Sequence, residues 1–118
     1  MNGSILINKN NLINNLSAIR KVLPKSKVMS MIKSDAYGHG ILEVANLLRE
    51  SDAFAVATIE EAKYLRNNHI DKEIVCLQGF SNKDEYKYCS KNNIRPVIHD
   101  FSQVKIIENT TLKKNIKL

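Results

Sequence analysis

The residues best suited to chemistry fall within ten consecutive positions, Met31-Ile32-Lys33-Ser34-Asp35-Ala36-Tyr37-Gly38-His39-Gly40. Lys33 directly follows Val28-Met29-Ser30-Met31-Ile32, an apolar run that reads as a buried strand. Lysine is rarely buried without a partner, and parallel α/β folds place their active sites at the C-terminal ends of their strands. Desolvation at such a position favours the neutral amine that Schiff-base chemistry requires. A lysine snorkelling from the strand end into solvent fits the same residues, and physics alone leaves both readings open.

The neighbours of Lys33 narrow the chemistry without fixing it. Gly38 and Gly40 permit a tight turn and a close backbone approach ahead of a helix beginning near Ile41. Their spacing matches neither a G-x-G-x-x-G fingerprint nor a P-loop, which argues against nucleotide binding. Tyr37 offers a hydroxyl to a bound anion or, equally, a ring to the core. His39 reads as a structural histidine rather than a ligand or base.

Positioning these residues requires a regular scaffold, and the hydrophobic period supplies one. Ile5-Leu6-Ile7 is a short strand-like opening. Leu12, Leu16, Ile19 and Leu23 recur at three- and four-residue spacing, one face of an amphipathic helix that Pro24 stops. Ile41, Leu42, Ala45 and Leu48 predict the next helix, and Ala53–Ala57 the next strand. Thr58 and Glu61 form the two ends of a capping box, with Ala62 and Leu65 continuing the apolar face of that helix. A strand at Glu73–Leu77, a helix near Lys83–Ser90, a strand at Ile94–Ile98 and a helix from Phe101 to Ile107 complete the alternation. Asn115-Ile116-Lys117-Leu118 reads as the opening of a fifth strand, so the pattern breaks off partway through.

Strand and helix alternating every 20 to 25 residues or so is the signature of parallel βα units. Nearly continuous apolar strands suit a sheet covered on both faces. An open doubly wound sheet and a (β/α)8 barrel both satisfy the pattern.

Composition excludes several other classes. The chain has 118 residues, 43% hydrophobic and 25% charged, as in an ordinary globular domain. No apolar run approaches the ~20 residues of a membrane helix, and the N-terminus lacks the layout of a secretory signal, so a cytoplasmic location and no membrane partner are expected. The net charge of +6 would attract a polyanion. The basic residues are scattered, however, and do not alternate with aromatics as on a base-stacking platform, which argues against nucleic acid. Cys76, Cys89 and the histidines at 39, 69 and 99 form no metal-ligand spacing. Cys76, within Ile74-Val75-Cys76-Leu77, reads as a small buried strand residue.

Lys33-Ser34-Asp35-Ala36-Tyr37-Gly38-His39-Gly40 closely resembles the pyridoxal-phosphate attachment motif of bacterial alanine racemases, Lys-Ala-Asn/Asp-Ala-Tyr-Gly-His-Gly, with Ser34 the one departure. The similarity extends to Phe54–Ala62, to Ile74–Phe80 and to Arg95-Pro96-Val97-Ile98-His99. It implies the first half of a (β/α)8 (TIM-type) barrel, with residues 1–118 forming the N-terminal part of the pyridoxal-phosphate barrel domain and the remaining barrel half and a C-terminal β-domain lying outside them. It also implies pyridoxal 5'-phosphate as cofactor, carried on Lys33, with the Tyr37 hydroxyl on the cofactor phosphate and Leu77 near the cofactor ring. The implied reaction interconverts L-alanine and D-alanine, supplying D-alanine for peptidoglycan. In that family the counterpart of Lys33 serves the D-enantiomer and a tyrosine of the partner subunit serves the L-enantiomer, so a homodimer is expected at full length. The resemblance also leaves room for a truncated or partial form, a non-catalytic cofactor-binding remnant, one piece of a split enzyme, or a racemase acting on another small amino acid such as serine.

Overall fold

The computed structural model describes residues 9–33 and 40–118. The strand-like opening at Ile5-Leu6-Ile7 lies outside them. In chain order the elements are α1 (Lys9–Val22), β1 (Met29–Met31), α2 (Ile41–Leu47), β2 (Ala53–Val56), α3 (Ile59–Asn67), β3 (Glu73–Cys76), α4 (Lys83–Lys91), β4 (Ile94–Pro96) and α5 (Phe101–Glu108).

Local chemistry explains where the helices begin. Thr58 caps α3 by accepting the Glu61 N–H, while the Glu61 carboxylate accepts the Thr58 N–H, so the capping box forms as expected. Asn82 caps α4 by accepting the Glu85 N–H at 2.9 Å. Asp100 caps α5 and accepts the Ser102 N–H at 2.8 Å.

The four strands form one parallel sheet in the order β1-β2-β3-β4. Met31 pairs with Ala55, Ala55 with Val75, and Val75 with Arg95. That order decides between the two architectures left open by periodicity. Parallel crossovers are right-handed in almost every case, so a strand order that never reverses keeps every crossover helix on one face. A doubly wound sheet needs a reversal; a barrel does not.

The side chains obey this rule. Ile32, Phe54, Val56, Ile74, Cys76 and Ile94, all even-numbered, pack with Ile41, Val44, Ala45, Ile59, Ala62, Leu65 and Cys89 from the helices into one core cluster. The odd-numbered strand residues stand outside that cluster. Met29 and Met31 are each 48% exposed, and Glu73 and Arg95 pair with one another across the strands. Among the described residues the helices therefore build the core against one face of the sheet, as in the wall of a barrel, while Ala53 and Ala55 on the other face are also buried.

The edges of the sheet are held by specific polar contacts. Asp52 accepts the Val28 N–H at 2.7 Å and pairs with Arg20 at 3.1 Å, fixing the chain ahead of β1 to the start of β2. The Arg66 guanidinium donates to the carbonyls of Ile70, Lys72, Asn92 and Asn93 and ties the ends of α3 and α4 together. Pro96 is tolerated in β4 because the following residue, Val97, donates its N–H to Cys76 across the ladder. The missing N–H of Pro96 consequently falls on the side away from β3.

One expectation is corrected. Residues 115–118 form no strand, and the described residues contain four strands rather than the start of a fifth. The segment instead lies along α4, where the Ser90 hydroxyl donates to the Lys114 carbonyl and Ile116 packs against the edge of the core. An apolar pair in Ile116 and Leu118 satisfies strand patterning, but a strand exists only where a neighbouring backbone completes its ladder.

Candidate functional site

Lys33 stands two residues beyond β1 and is half-buried. The ladder continues one residue past the strands: Ile32 N–H donates to Ala55 O at 2.9 Å, Leu77 N–H to Val56 O at 2.8 Å, and Val97 N–H to Cys76 O at 3.0 Å. Extending the register by the same step places Lys33, Ala57, Leu77 and Val97 at one level along the C-terminal rim. All four follow the last residues of their strands, at the C-terminal edge of the parallel sheet. Ala57 and Leu77 are half-buried like Lys33.

Ser34, Asp35, Ala36, Tyr37, Gly38 and His39 lie outside the described residues, so the expected phosphate contact of Tyr37 and the structural reading of His39 fall there. Gly40 closes the motif at φ +87° as the N-cap residue of α2. That conformation suits glycine, as the turn-forming reading of the motif requires at this position.

A polar cluster completes the rim beyond β3 and β4. Gln103, in the first turn of α5, is 3% exposed and hydrogen-bonds both neighbouring loops. His99 lies within it, its Nε2 3.0 Å from Gln78 O. The Asp100 carboxyl is held below its usual range, first by the Ser102 backbone N–H. The sequence reading missed Gln103. The available signal was Asp100-x-x-Gln103 ahead of an apolar run, the same capping-box spacing that identified Thr58 and Glu61.

Cys76 is buried in β3, as its apolar neighbours predicted, and Cys89 is buried in α4. Burial pushes the Cys76 thiol up to about 11 and the Cys89 thiol up to about 12, so both are protonated and unreactive near neutral pH. Among the described residues no three His, Cys, Asp or Glu side chains are placed to share a metal ion, and no helix is long and apolar enough to cross a membrane.

Residues 7–118 match the family described as alanine racemase, N-terminal domain. The alanine racemase of Hamiltonella defensa is 40% identical over 113 residues, covering 96% of this chain and 32% of that protein. The biosynthetic alanine racemase of Escherichia coli is 37% identical over 113 residues, again 96% of this chain and 32% of that protein. Among solved structures, the biosynthetic alanine racemase of Pseudomonas aeruginosa superposes with a TM-score of 0.81 at 29% identity, over 90% of this chain and 30% of that one. Alanine racemase from Clostridium difficile gives 0.73 at 36% identity, over 83% and 28% respectively. The chain spans about a third of the length of the curated relatives it matches. With its one-sided parallel βα wall and a lysine on the rim, the chain belongs to the alanine racemase family, within the N-terminal barrel domain.

Proposed function

We propose that this chain provides the cofactor-bearing part of a pyridoxal-phosphate-dependent enzyme interconverting L-alanine and D-alanine, with Lys33 as its central residue. Residues 1–118 are then the N-terminal part of the barrel domain. A cytoplasmic location and a homodimeric full-length form go with this reading. The observation that carries it is the position of Lys33: half-buried, two residues past β1, at the C-terminal edge of the parallel sheet.

The residues present fit the cofactor on chemical grounds. Lys33 supplies a primary amine for covalent attachment, and the half-buried Ala57 and Leu77 that follow the next two strands are small or apolar, as a flat ring requires of its neighbours. Tyr37 is assigned to the phosphate through its hydroxyl. Bound pyridoxal phosphate supplies an electron sink that makes an amino acid's α-proton removable.

The remaining work belongs to the protein. Once released from the cofactor, Lys33 Nζ takes or returns the proton on its own side of the substrate Cα. Racemisation also needs a proton donor and acceptor on the opposite side. Tyr64, Tyr86 and Tyr88 do not suit that role, because all three lie on helices covering the other face of the sheet. Tyr86 packs its ring against Phe80, with centroids 4.8 Å apart, and Lys63 lies over the ring of Tyr88. The second base is therefore assigned to a part of the enzyme beyond these residues.

The test measures loss of optical rotation of L-alanine with added pyridoxal phosphate. The 118-residue chain alone is compared with a chimera carrying the region of the Hamiltonella defensa relative beyond the matched third. The expected result is background racemisation by the chain alone and turnover by the chimera that Lys33→Ala abolishes. Chimera turnover surviving Lys33→Ala contradicts the role of Lys33, and efficient turnover by the short chain contradicts placing the second base outside it.

A further inference from the structure

The strongest feature outside the lysine motif is the buried amide of Gln103. An amide side chain has two donor hydrogens and one acceptor oxygen with two lone pairs, and Gln103 uses all four. Its oxygen accepts the His99 N–H at 2.7 Å and the Asp100 N–H at 3.1 Å. Its nitrogen donates to Gln78 O and Phe80 O, both at 3.2 Å. The first pair belongs to the loop after β4 and the second to the loop after β3. Helix capping needs only the oxygen; the nitrogen end reaches back 25 and 23 residues to a different loop.

Two further observations show how tightly the loops are joined. Gly79 has φ +67°, and a Cβ there would stand 2.4 Å from Val97 O and 2.6 Å from Gln103 Nε2. No other residue fits without shifting backbone. His99 Nε2 also lies 3.0 Å from Gln78 O. A carbonyl oxygen only accepts, so in that bond Nε2 is the donor, with Gln103 Nε2 3.5 Å from the same ring nitrogen.

We propose that Gln103 is a positioning residue whose buried amide locks the loops after β3 and β4 into one unit, setting Leu77 and His99 on the rim that carries Lys33. The proposal deepens the reading of Lys33 as the cofactor-bearing lysine and rests on it for what the unit faces. The lock itself rests on the hydrogen bonds and on Gly79. An apolar side chain would fill the same space with no desolvation cost, yet it would take the amide's bonds from the His99 and Asp100 N–H groups and the Phe80 carbonyl and leave Gln78 O only His99.

Gln103→Leu removes all four bonds, whereas Gln103→Glu keeps the acceptor for His99 and Asp100 and loses the donors to Gln78 and Phe80. Three quantities are read on the 118-residue chain: amide hydrogen exchange, the His99 ring-nitrogen shifts, and affinity for pyridoxal 5'-phosphate by absorbance titration. Exchange at His99 and Asp100 is expected to rise about tenfold in Gln103→Leu but not in Gln103→Glu. Exchange in β2 stays unchanged and reports intact folding. The ring-nitrogen shifts should show the Nε2–H form in the parent chain and lose that bias in both variants. Cofactor affinity should fall about tenfold in both variants as well.

Unaltered exchange in Gln103→Leu overturns the lock. Faster exchange with unchanged cofactor affinity overturns the positioning role and leaves Gln103 purely structural. A parent chain that takes up no cofactor overturns the proposed function and the positioning role together, and its exchange data distinguish that outcome from failure of the lock.

Discussion

The two faces of the sheet are built from strands of similar apolar character and carry different work. On the covered face, Phe54, Val56, Ile74, Cys76 and Ile94 interdigitate with α2, α3 and α4 to form the core. On the other face, Met29 and Met31 remain half-exposed, Ala53 and Ala55 are buried but small, and Arg95 and Glu73 pair. Lys33 and Leu77 lie just past the C-terminal ends of their strands. The large apolar side chains of the strands therefore divide by parity: Phe54, Val56, Ile74 and Ile94 hold the fold together, while Met29 and Met31 stay half-exposed.

The sharpest way to break this comparison is to truncate one large side chain on each face. Phe54 is fully buried, so Phe54→Ala should cost about 3–5 kcal/mol through lost contacts and the cavity left behind. Met31→Ala on the open face should change stability by no more than about 0.5 kcal/mol, as for other exposed positions. Urea denaturation of both variants measures this. Equal losses would mean that the odd-numbered face is packed as tightly as the even-numbered one.

A smaller effect is expected at the rim, where the covered face ends. Thr58→Ala removes the side-chain acceptor for the Glu61 N–H and should cost about 1 kcal/mol. Thr58→Ser keeps the hydroxyl and should recover most of that loss. If both variants lose the same amount, methyl packing rather than capping explains the position.

The smallest effect concerns the start of the sheet and depends on pH. The Val28 N–H, and after it the Arg20 charge, hold the Asp52 carboxyl below its ordinary value of 3.8. A depressed carboxyl contributes stability that is fully present above the ordinary value and lost as pH falls through the lower folded value. The stability difference between the parent chain and Asp52→Asn should therefore be constant near neutrality and shrink below about pH 4. A difference that persists unchanged into acid would show that the ionised carboxylate is not what matters there.

Much of this arrangement was legible in the residues, and the failures have physical causes. The Thr58–Glu61 cap and the four strands follow from local patterns that the fold does not override. Which face of β1 is covered was not legible, because Met29, Met31 and Ile32 are all apolar. Only the pairing order, a property of the whole sheet, separates barrel from doubly wound sheet. Ile116 and Leu118 satisfied strand patterning without a backbone to pair with. Gln103 went unnoticed because its four hydrogen-bond partners lie on two loops, one of them more than twenty residues away. Its Asp100-x-x-Gln103 spacing was present but revealed only the cap.

The role proposed for Lys33 is to carry the cofactor. Incubation with pyridoxal 5'-phosphate, reduction with borohydride and peptide mapping test it directly. The reduced label is expected to concentrate on the peptide containing Lys33 and to be absent from Lys33→Ala. Label distributed over the many surface lysines, or persisting in Lys33→Ala, would contradict it.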